Sequence, residues 1–112
     1  MRYIIGFSLL ILVYSSCSYD DEETYYQECD TSNVSFSEDI RAIIDANCIF
    51  CHSDNYANGG YSYQSYEGVK EALDKGRFLG AIRHENGFRA MPDGQPRMDD
   101  CTILKIEVWI VY

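Results

Sequence analysis

Two thiols and an imidazole lie within five residues near the middle of the chain, in the segment Cys48-Ile49-Phe50-Cys51-His52. Such a cluster constrains the fold, because a small domain must be built around whatever the cluster binds. Three kinds of chemistry use these residue types: a structural zinc site, thiol–disulfide exchange, and covalent attachment of a haem. The rest of the sequence distinguishes between them.

The order of these residues is the C-x-x-C-H pattern of c-type haem attachment. Two thiols one turn apart can each add to a vinyl group of the same porphyrin, and the histidine that follows becomes an axial ligand of the iron. A structural zinc site usually draws two further ligands from a second spaced pair, which the other cysteines and histidine do not form. A thioredoxin-like motif is expected in a βαβ context, which is absent from the pattern. The sequence therefore predicts one covalent haem c per chain, at Cys48 and Cys51, with His52 on the iron.

The first 16 residues have the composition of a signal peptide. Arg2 supplies a positive charge, and about a dozen mostly apolar residues follow, from Tyr3 to Tyr14. This run is shorter than the roughly 20 apolar residues that a membrane-spanning helix needs. It predicts a leader over residues 1–16 and an exported protein.

The segment that ends in LVYSSC, at Cys17, resembles a bacterial lipobox, whose cysteine is lipidated and becomes the mature N-terminus. The alternative is that Cys17 merely lies near an ordinary cleavage site. Residues 17–32 are acidic and lack an apolar period, which predicts a flexible tether. The acidic run also resembles the surface-export signal of lipoproteins in some Gram-negative bacteria, with a plain solvated linker as the alternative. We expect a lipoprotein anchored through Cys17 to a bacterial membrane, either periplasmic or on the cell surface.

The chain contains 18 acidic and 9 basic residues, which gives a formal net charge of −9 at pH 7. This excess of negative charge argues against nucleic acid as a partner. The basic residues are nevertheless concentrated in the second half, where they form either a local docking face or a mixed solvated surface. They are Lys70, Lys75, Arg77, Arg83, Arg89 and Arg97.

Export places the five cysteines in an oxidising compartment, where structural disulfides persist. If Cys17 takes lipid and the cysteines of the C-x-x-C-H segment take a cofactor, Cys29 and Cys101 remain as a pair. A bridge between them closes a loop of about 70 residues, for which loop-closure entropy gives roughly 4 kcal/mol of stabilisation. Only the fold decides whether the two residues are close enough to bond.

Helix signals alternate with polar loops that contain glycine or proline. In chain order the predicted helices are a first one capped at Ser35 or Ser37 that runs into Cys48, a second from Ser65 to Gly76, a short third near 77–83, and a last one capped at Asp99 or Asp100. The last segment also tolerates a strand assignment because it is rich in β-branched residues, but its cap favours a helix. The sequence predicts an all-α domain over residues 33–112, with three to five short helices and a thin core.

One methionine lies in surroundings that are unusual for a core residue. Met91 is followed by proline in a polar loop about 40 residues after His52. Such a loop can present the thioether to the open face of the iron, and a His/Met ligand pair raises the reduction potential in the way that electron transfer requires. His84, which would give bis-histidine ligation, and Met98, the other downstream thioether, are the rivals for this position.

Residues from about Val34 to Ile110 resemble a class I cytochrome c domain of the short bacterial lipoprotein type. The motifs that carry this likeness are a capped helix entering CIFCH, a middle SYEGVKEAL helix, the loop MPDGQP and the closing pattern DCTILKIEVWI. The resemblance implies a small class I fold around one covalent haem, with His52 and Met91 as the iron ligands. It also implies that the first and last helices pack together, with Trp109 near that contact or near the haem edge.

These features predict a one-electron carrier rather than an enzyme, because no catalytic set accompanies the haem motif. Its partners would be redox proteins that act as electron donor and acceptor. Two further hypotheses stay open. One is a ligand-binding or sensing haem domain in which Met91 is displaced, and the other is an electron-entry subunit of a larger redox enzyme.

Overall fold

The computed structural model describes residues 29–111, and every regular element within this range is helical. The elements are a π-helical turn Phe36–Ile40 that continues into α1 (Arg41–Asn47), a 3-10 turn Asn58–Gly60, α2 (Tyr66–Asp74), α3 (Phe78–Ile82) and α4 (Asp100–Val111). The predicted all-α class is therefore confirmed for the described residues. None of their helices is both long and apolar enough to cross a membrane. The predicted leader, the lipidation site at Cys17 and most of the tether lie outside the described residues.

The first helix begins at Ser35, one of the two serines that the sequence offered as a cap. The Ser35 backbone is extended (φ −110°, ψ 153°), and its side-chain oxygen accepts a hydrogen bond from the backbone N–H of Glu38 at 3.2 Å. The opening turn is wide, because the N–H of Arg41 donates to the carbonyl of Phe36 five residues earlier. The other candidate, Ser37, lies exposed within this turn.

Replacing Ser35 by alanine is expected to lower the free energy of unfolding by about 1 kcal/mol, because the N–H of Glu38 loses its acceptor. For a domain of this size, that loss lowers the melting temperature by roughly 4–8 °C. Ser37→Ala is the matched control, and we expect it to stay within about 0.5 kcal/mol of the parent protein. Thermal unfolding followed by circular dichroism measures both. Equal effects of the two substitutions would contradict the assignment of the cap.

The later helices lie within the predicted segments, and two of them start at predicted caps. The Ser65 side chain accepts from the N–H of Gly68 at 3.0 Å, and Gly76, with φ of 73°, follows the end of α2. Asp99 caps α4 by accepting from the N–H of Thr102 at 2.9 Å. The closing segment is therefore a helix and not a strand, because the cap fixes its first turn despite the β-branched residues that follow.

The hydrophobic core of the described domain is small. Its members come from the π-helical turn, from the four α-helices and from the segments before α2 and α4, and few are large. The buried apolar residues are Ile40, Ile44, Tyr63, Val69, Ala72, Phe78, Ile82, Met98, Ile103 and Ile106. A core of this size supports a domain of about 80 residues only weakly, so covalent or cofactor-based stabilisation is useful.

The two ends of the domain meet where α4 packs against the π-helical turn before α1. The ring of Trp109 lies 5.3 Å from that of Phe36 and 5.9 Å from that of Tyr66, so Trp109 occupies this contact. A disulfide joins Cys29 to Cys101, whose Cα atoms are 5.4 Å apart. This is the pair that the sequence left after its other cysteines were assigned. The bridge fixes the start of the described chain to the first turn of α4.

Candidate cofactor site

A cavity of about 980 Å³ lies between the C-x-x-C-H segment, α3 and the loop that follows α3. Its volume is near the upper end of the roughly 300–1,000 Å³ that small-molecule and cofactor sites occupy. The four predicted residues Cys48, Cys51, His52 and Met91 all line it. Much of the remaining wall is aromatic or aliphatic, from Tyr61, Tyr63, Phe78, Ile82, Phe88 and Met98.

The C-x-x-C-H segment continues the end of α1 as a tight turn. The N–H of Cys48 donates to the carbonyl of Ile44 at 2.8 Å, and the N–H groups of Cys51 and His52 donate to the carbonyl of Cys48 at 3.2 and 3.0 Å. Cys48 and Cys51 are free thiols and not a disulfide. Between them, Phe50 is 93% exposed. The turn therefore brings both thiols and the imidazole to the same cavity, and the largely exposed side chain of Phe50 lies at the edge of that cavity.

His52 is buried, and its ring orientation is fixed by two tyrosines. Its Nδ1 lies 3.1 Å from the carbonyl oxygen of Tyr61, and its ring stacks on that of Tyr63 with centroids 4.6 Å apart. Because a carbonyl only accepts, this contact assigns the ring proton to Nδ1. Metal-ligating histidines commonly donate their second ring N–H to a carbonyl in this way. The arrangement leaves Nε2 as the nitrogen available to a ligand in the cavity.

The tyrosine segment is held in place by a close approach to α2. The N–H of Tyr63 donates to the carbonyl of His52 at 2.8 Å. A Cβ atom added at Gly68 would overlap the backbone carbonyl of Ser62, which lies between Tyr61 and Tyr63. The absence of a side chain at Gly68 is therefore what allows this segment to approach the helix and support His52.

Gly68→Ala is accordingly expected to lower the free energy of unfolding by about 1 kcal/mol. Alanine normally favours a helix over glycine by about 1 kcal/mol, but overpacking against a backbone atom costs about 1–3 kcal/mol and also displaces the support of His52. Glu67→Ala, one residue earlier on the exposed surface of α2, is the control and should change stability by less than about 0.5 kcal/mol. Denaturant unfolding measures both. A Gly68→Ala protein that is as stable as the parent would rule out the close approach.

Met91 is half-buried, and both of its backbone polar groups are anchored to the end of α3. Its N–H donates to the carbonyl of Ala81 at 3.0 Å, and its carbonyl oxygen lies 3.0 Å from Nε2 of His84. His84 does not line the cavity, and its Nε2 is occupied by this contact. Met98, only 9% exposed, does line the cavity. Of the three candidates for the second axial ligand, the structure thus brings the two methionines to the cavity and leaves the histidine outside it.

The basic residues of the second half are mostly matched by neighbouring acids. Four of the six form ion pairs: Lys75 with Glu71, Arg83 with Glu107, Arg89 with Asp93, and Arg97 with Asp100. Exposed pairs of this kind contribute little to stability. Arg77 and Arg89 line the cavity, and the guanidinium of Arg77 lies over the ring of Phe88, 5.5 Å from its centroid. This distribution corresponds to a mixed surface more closely than to a continuous basic face.

Two observations bear on zinc binding and thiol exchange, the alternatives for the two thiols. Within residues 29–111, no three His, Cys, Asp or Glu side chains are arranged to hold a metal ion. Burial raises the pKa of the Cys48 thiol to about 12, whereas exchange cysteines have lowered pKa values because the thiolate is the nucleophile.

Two features of the site were not predicted from the sequence. The tyrosines that support His52 lie in the segment 53–64, which its composition predicted only as a loop. The contact between His84 and Met91 was also missed, because His84 was considered only as a rival iron ligand. The alternation of tyrosine and serine in Tyr61-Ser62-Tyr63 was the available signal, since alternate residues of an extended segment face the same side.

The fold and the site define a small all-α domain whose cavity gathers two free thiols, one buried imidazole and two thioethers. No family model, no curated protein and no solved structure matches the chain.

Proposed function

We propose that this domain is a one-electron carrier of the class I cytochrome c type, with one haem c attached covalently at Cys48 and Cys51 and ligated by His52 and Met91. The observation that carries the proposal is the convergence of these four residues on one cavity of about 980 Å³ with a largely apolar wall. The first three belong to the turn after α1, whereas Met91 comes from the loop after α3. Their meeting is therefore a property of the fold and not of a single motif.

The side chains that would bind and ligate the haem have the chemistry that this cofactor needs. Haem, when it is bound, supplies one-electron exchange between Fe(II) and Fe(III). Cys48 and Cys51 offer two free thiols one turn apart for thioether bonds. His52 offers Nε2, because its Nδ1 is held by the carbonyl of Tyr61. Met91 offers a thioether, and a His/Met pair raises the reduction potential. The apolar part of the wall would shield a bound haem from water and lower the local dielectric constant.

The anchoring of Met91 favours a carrier over a sensor. Both backbone polar groups of Met91 are hydrogen-bonded, to Ala81 and His84, so the loop is fixed on either side of the thioether. A ligand held in this way resists displacement by an external molecule. A sensing domain would instead need a methionine that leaves the iron easily.

The proposal is tested by spectroscopy of the protein expressed in a host that attaches c-type haem. We expect a reversible reduced-minus-oxidised difference spectrum, a near-infrared sulfur-to-iron band in the oxidised protein, and no binding of carbon monoxide to the reduced protein at neutral pH. Rapid stoichiometric binding of carbon monoxide would favour the sensor. A missing sulfur-to-iron band would exclude methionine as the ligand.

The location and partners belong to the same proposal. An exported lipoprotein anchored through Cys17 would carry the domain on its acidic tether at a bacterial membrane, in the periplasm or on the cell surface. Its partners would be redox proteins, and an electron-entry subunit of a larger enzyme would use the same site. Arg77 and Arg89 lie at the cavity, so partner reactions that depend on them should slow as ionic strength rises. A lipid mass on an N-terminal peptide that begins at Cys17 would test the anchor.

A further inference from the structure

We infer that His84 is a positioning residue that holds Met91 against the end of α3, so that its thioether stays in the cavity. The inference rests on the proposed function, in which Met91 is an iron ligand. The Nε2 atom of His84 lies 3.0 Å from the carbonyl oxygen of Met91, and the N–H of Met91 donates to the carbonyl of Ala81 at 3.0 Å. Two hydrogen bonds thus hold the backbone of a single residue from opposite sides.

The backbone of His84 is the second observation. His84 has φ of 57°, and it is the non-glycine residue with positive φ among residues 29–111. Its N–H donates to the carbonyl of Ala81 at 3.2 Å, and the N–H of Glu85 donates to that of Gly80 at 2.9 Å. These are the two bonds of a Schellman motif at the end of α3, and the left-handed position of that motif usually holds glycine.

Termination of α3 does not by itself explain a histidine at this position, because glycine would serve better. Residues with a Cβ atom are disfavoured in the left-handed region, and they persist there when their surroundings over-determine them, often at ligand clamps. The left-handed turn reverses the chain at His84, so that its ring meets the segment that returns seven residues later at Met91. The side chain therefore provides what glycine cannot, a donor to the methionine loop.

The same contact would keep His84 from ligating the iron. Its Nε2 is engaged with the Met91 carbonyl, and the ring does not line the cavity. The histidine that the sequence offered as an alternative ligand thus acts through the methionine. A net hydrogen bond of this kind is worth about a threefold to tenfold change in an equilibrium constant. We therefore expect loss of this hydrogen bond to change the equilibrium constant for release of Met91 from the iron by the same factor.

The geometry permits a substitution that removes the ring without damaging the helix end. His84→Gly places the preferred residue at the left-handed position, so the cap of α3 should be kept or improved. His84→Asn is the second variant, because asparagine also accepts this backbone and its amide ends near the position of the imidazole Nδ1, short of Nε2. Glu85→Gly is the matched control, since it removes the next side chain, which pairs with Arg83 at the surface.

Two measurements test the inference on the full chain with haem attached. Imidazole titration of the oxidised protein measures release of Met91, and amide hydrogen exchange measures protection of the Met91 N–H. In His84→Gly and His84→Asn we expect imidazole to bind about threefold to tenfold more tightly and the Met91 amide to exchange faster by a similar factor. The sulfur-to-iron band should remain in both variants, and Glu85→Gly should behave as the parent protein does.

Parent-like imidazole affinity and parent-like exchange of the Met91 amide in His84→Gly would overturn the inference. Ligation of the iron by His84 in the parent protein, with no sulfur-to-iron band, would overturn it as well. If the parent protein carries no haem, the proposed function fails, and amide exchange at Met91 still decides whether His84 holds the loop. The two failures are therefore distinguishable.

Discussion

Replacing Cys29 and Cys101 together by serine is expected to lower the free energy of unfolding by about 4 kcal/mol. The bridge spans 72 positions of the sequence, so its loss releases a long closed loop in the unfolded chain. Single domains are stable by only about 5–15 kcal/mol, and the core of this one is small. The double variant should therefore lose a large share of its stability. Denaturant unfolding under oxidising conditions measures the difference.

Reduction of the parent protein provides the control. Mild reductant opens the disulfide but does not cleave thioether bonds, so the parent and the double serine variant, both measured in the same reductant, should unfold at the same denaturant concentration. Haem content should be equal in both. A double variant within about 1 kcal/mol of the oxidised parent would show that the bridge contributes little to the fold.

Met91→Ala is expected to have the largest effect on the proposed redox site. In that site, removing the thioether would open the sixth position of the iron, so the reduced protein should bind carbon monoxide stoichiometrically and the sulfur-to-iron band should vanish. The reduction potential should fall by an amount on the order of 0.1 V, because axial ligands set the potentials of haem proteins over a wide range. Helix content should change little, since Met91 lies in a loop and is only half-buried. Potentiometric titration and carbon monoxide binding measure the change.

Met98→Leu is the matched control for this experiment. Met98 lines the same cavity and belongs to the core, and leucine conserves most of its volume while removing its sulfur. The variant should keep the sulfur-to-iron band and the potential of the parent protein. If Met98→Leu loses the band while Met91→Ala keeps it, the ligand is Met98.

Much of the local structure was predictable from the sequence because short-range chemistry determines it. Serine or aspartate at the start of an apolar period predicts a helix start, and Ser35, Ser65 and Asp99 each accept the expected backbone hydrogen bond. Where two candidate caps are adjacent or nearly so, composition cannot choose between them. The choice depends on which backbone is extended, as it is at Ser35.

The tertiary contacts of the site were harder to predict from the sequence. The spacing of Cys48, Cys51 and His52 indicated a cofactor, and the sequence around Met91 suggested its partner. By contrast, the stacking of Tyr63 on His52 depends on how closely the loop approaches Gly68. The pattern of apolar residues does not predict that distance. The left-handed backbone at His84 was equally hidden, because a histidine in a polar loop carries no signal of its φ angle.

Intact mass spectrometry of the denatured protein tests the central claim most directly. The chain is expressed in a host that attaches c-type haem, beside the double variant Cys48→Ser/Cys51→Ser. We predict that the parent chain keeps the mass of one haem after denaturation and that the double variant has the mass of the polypeptide alone. A parent chain without haem, in which Cys48 and Cys51 react as two free thiols, would contradict the proposal.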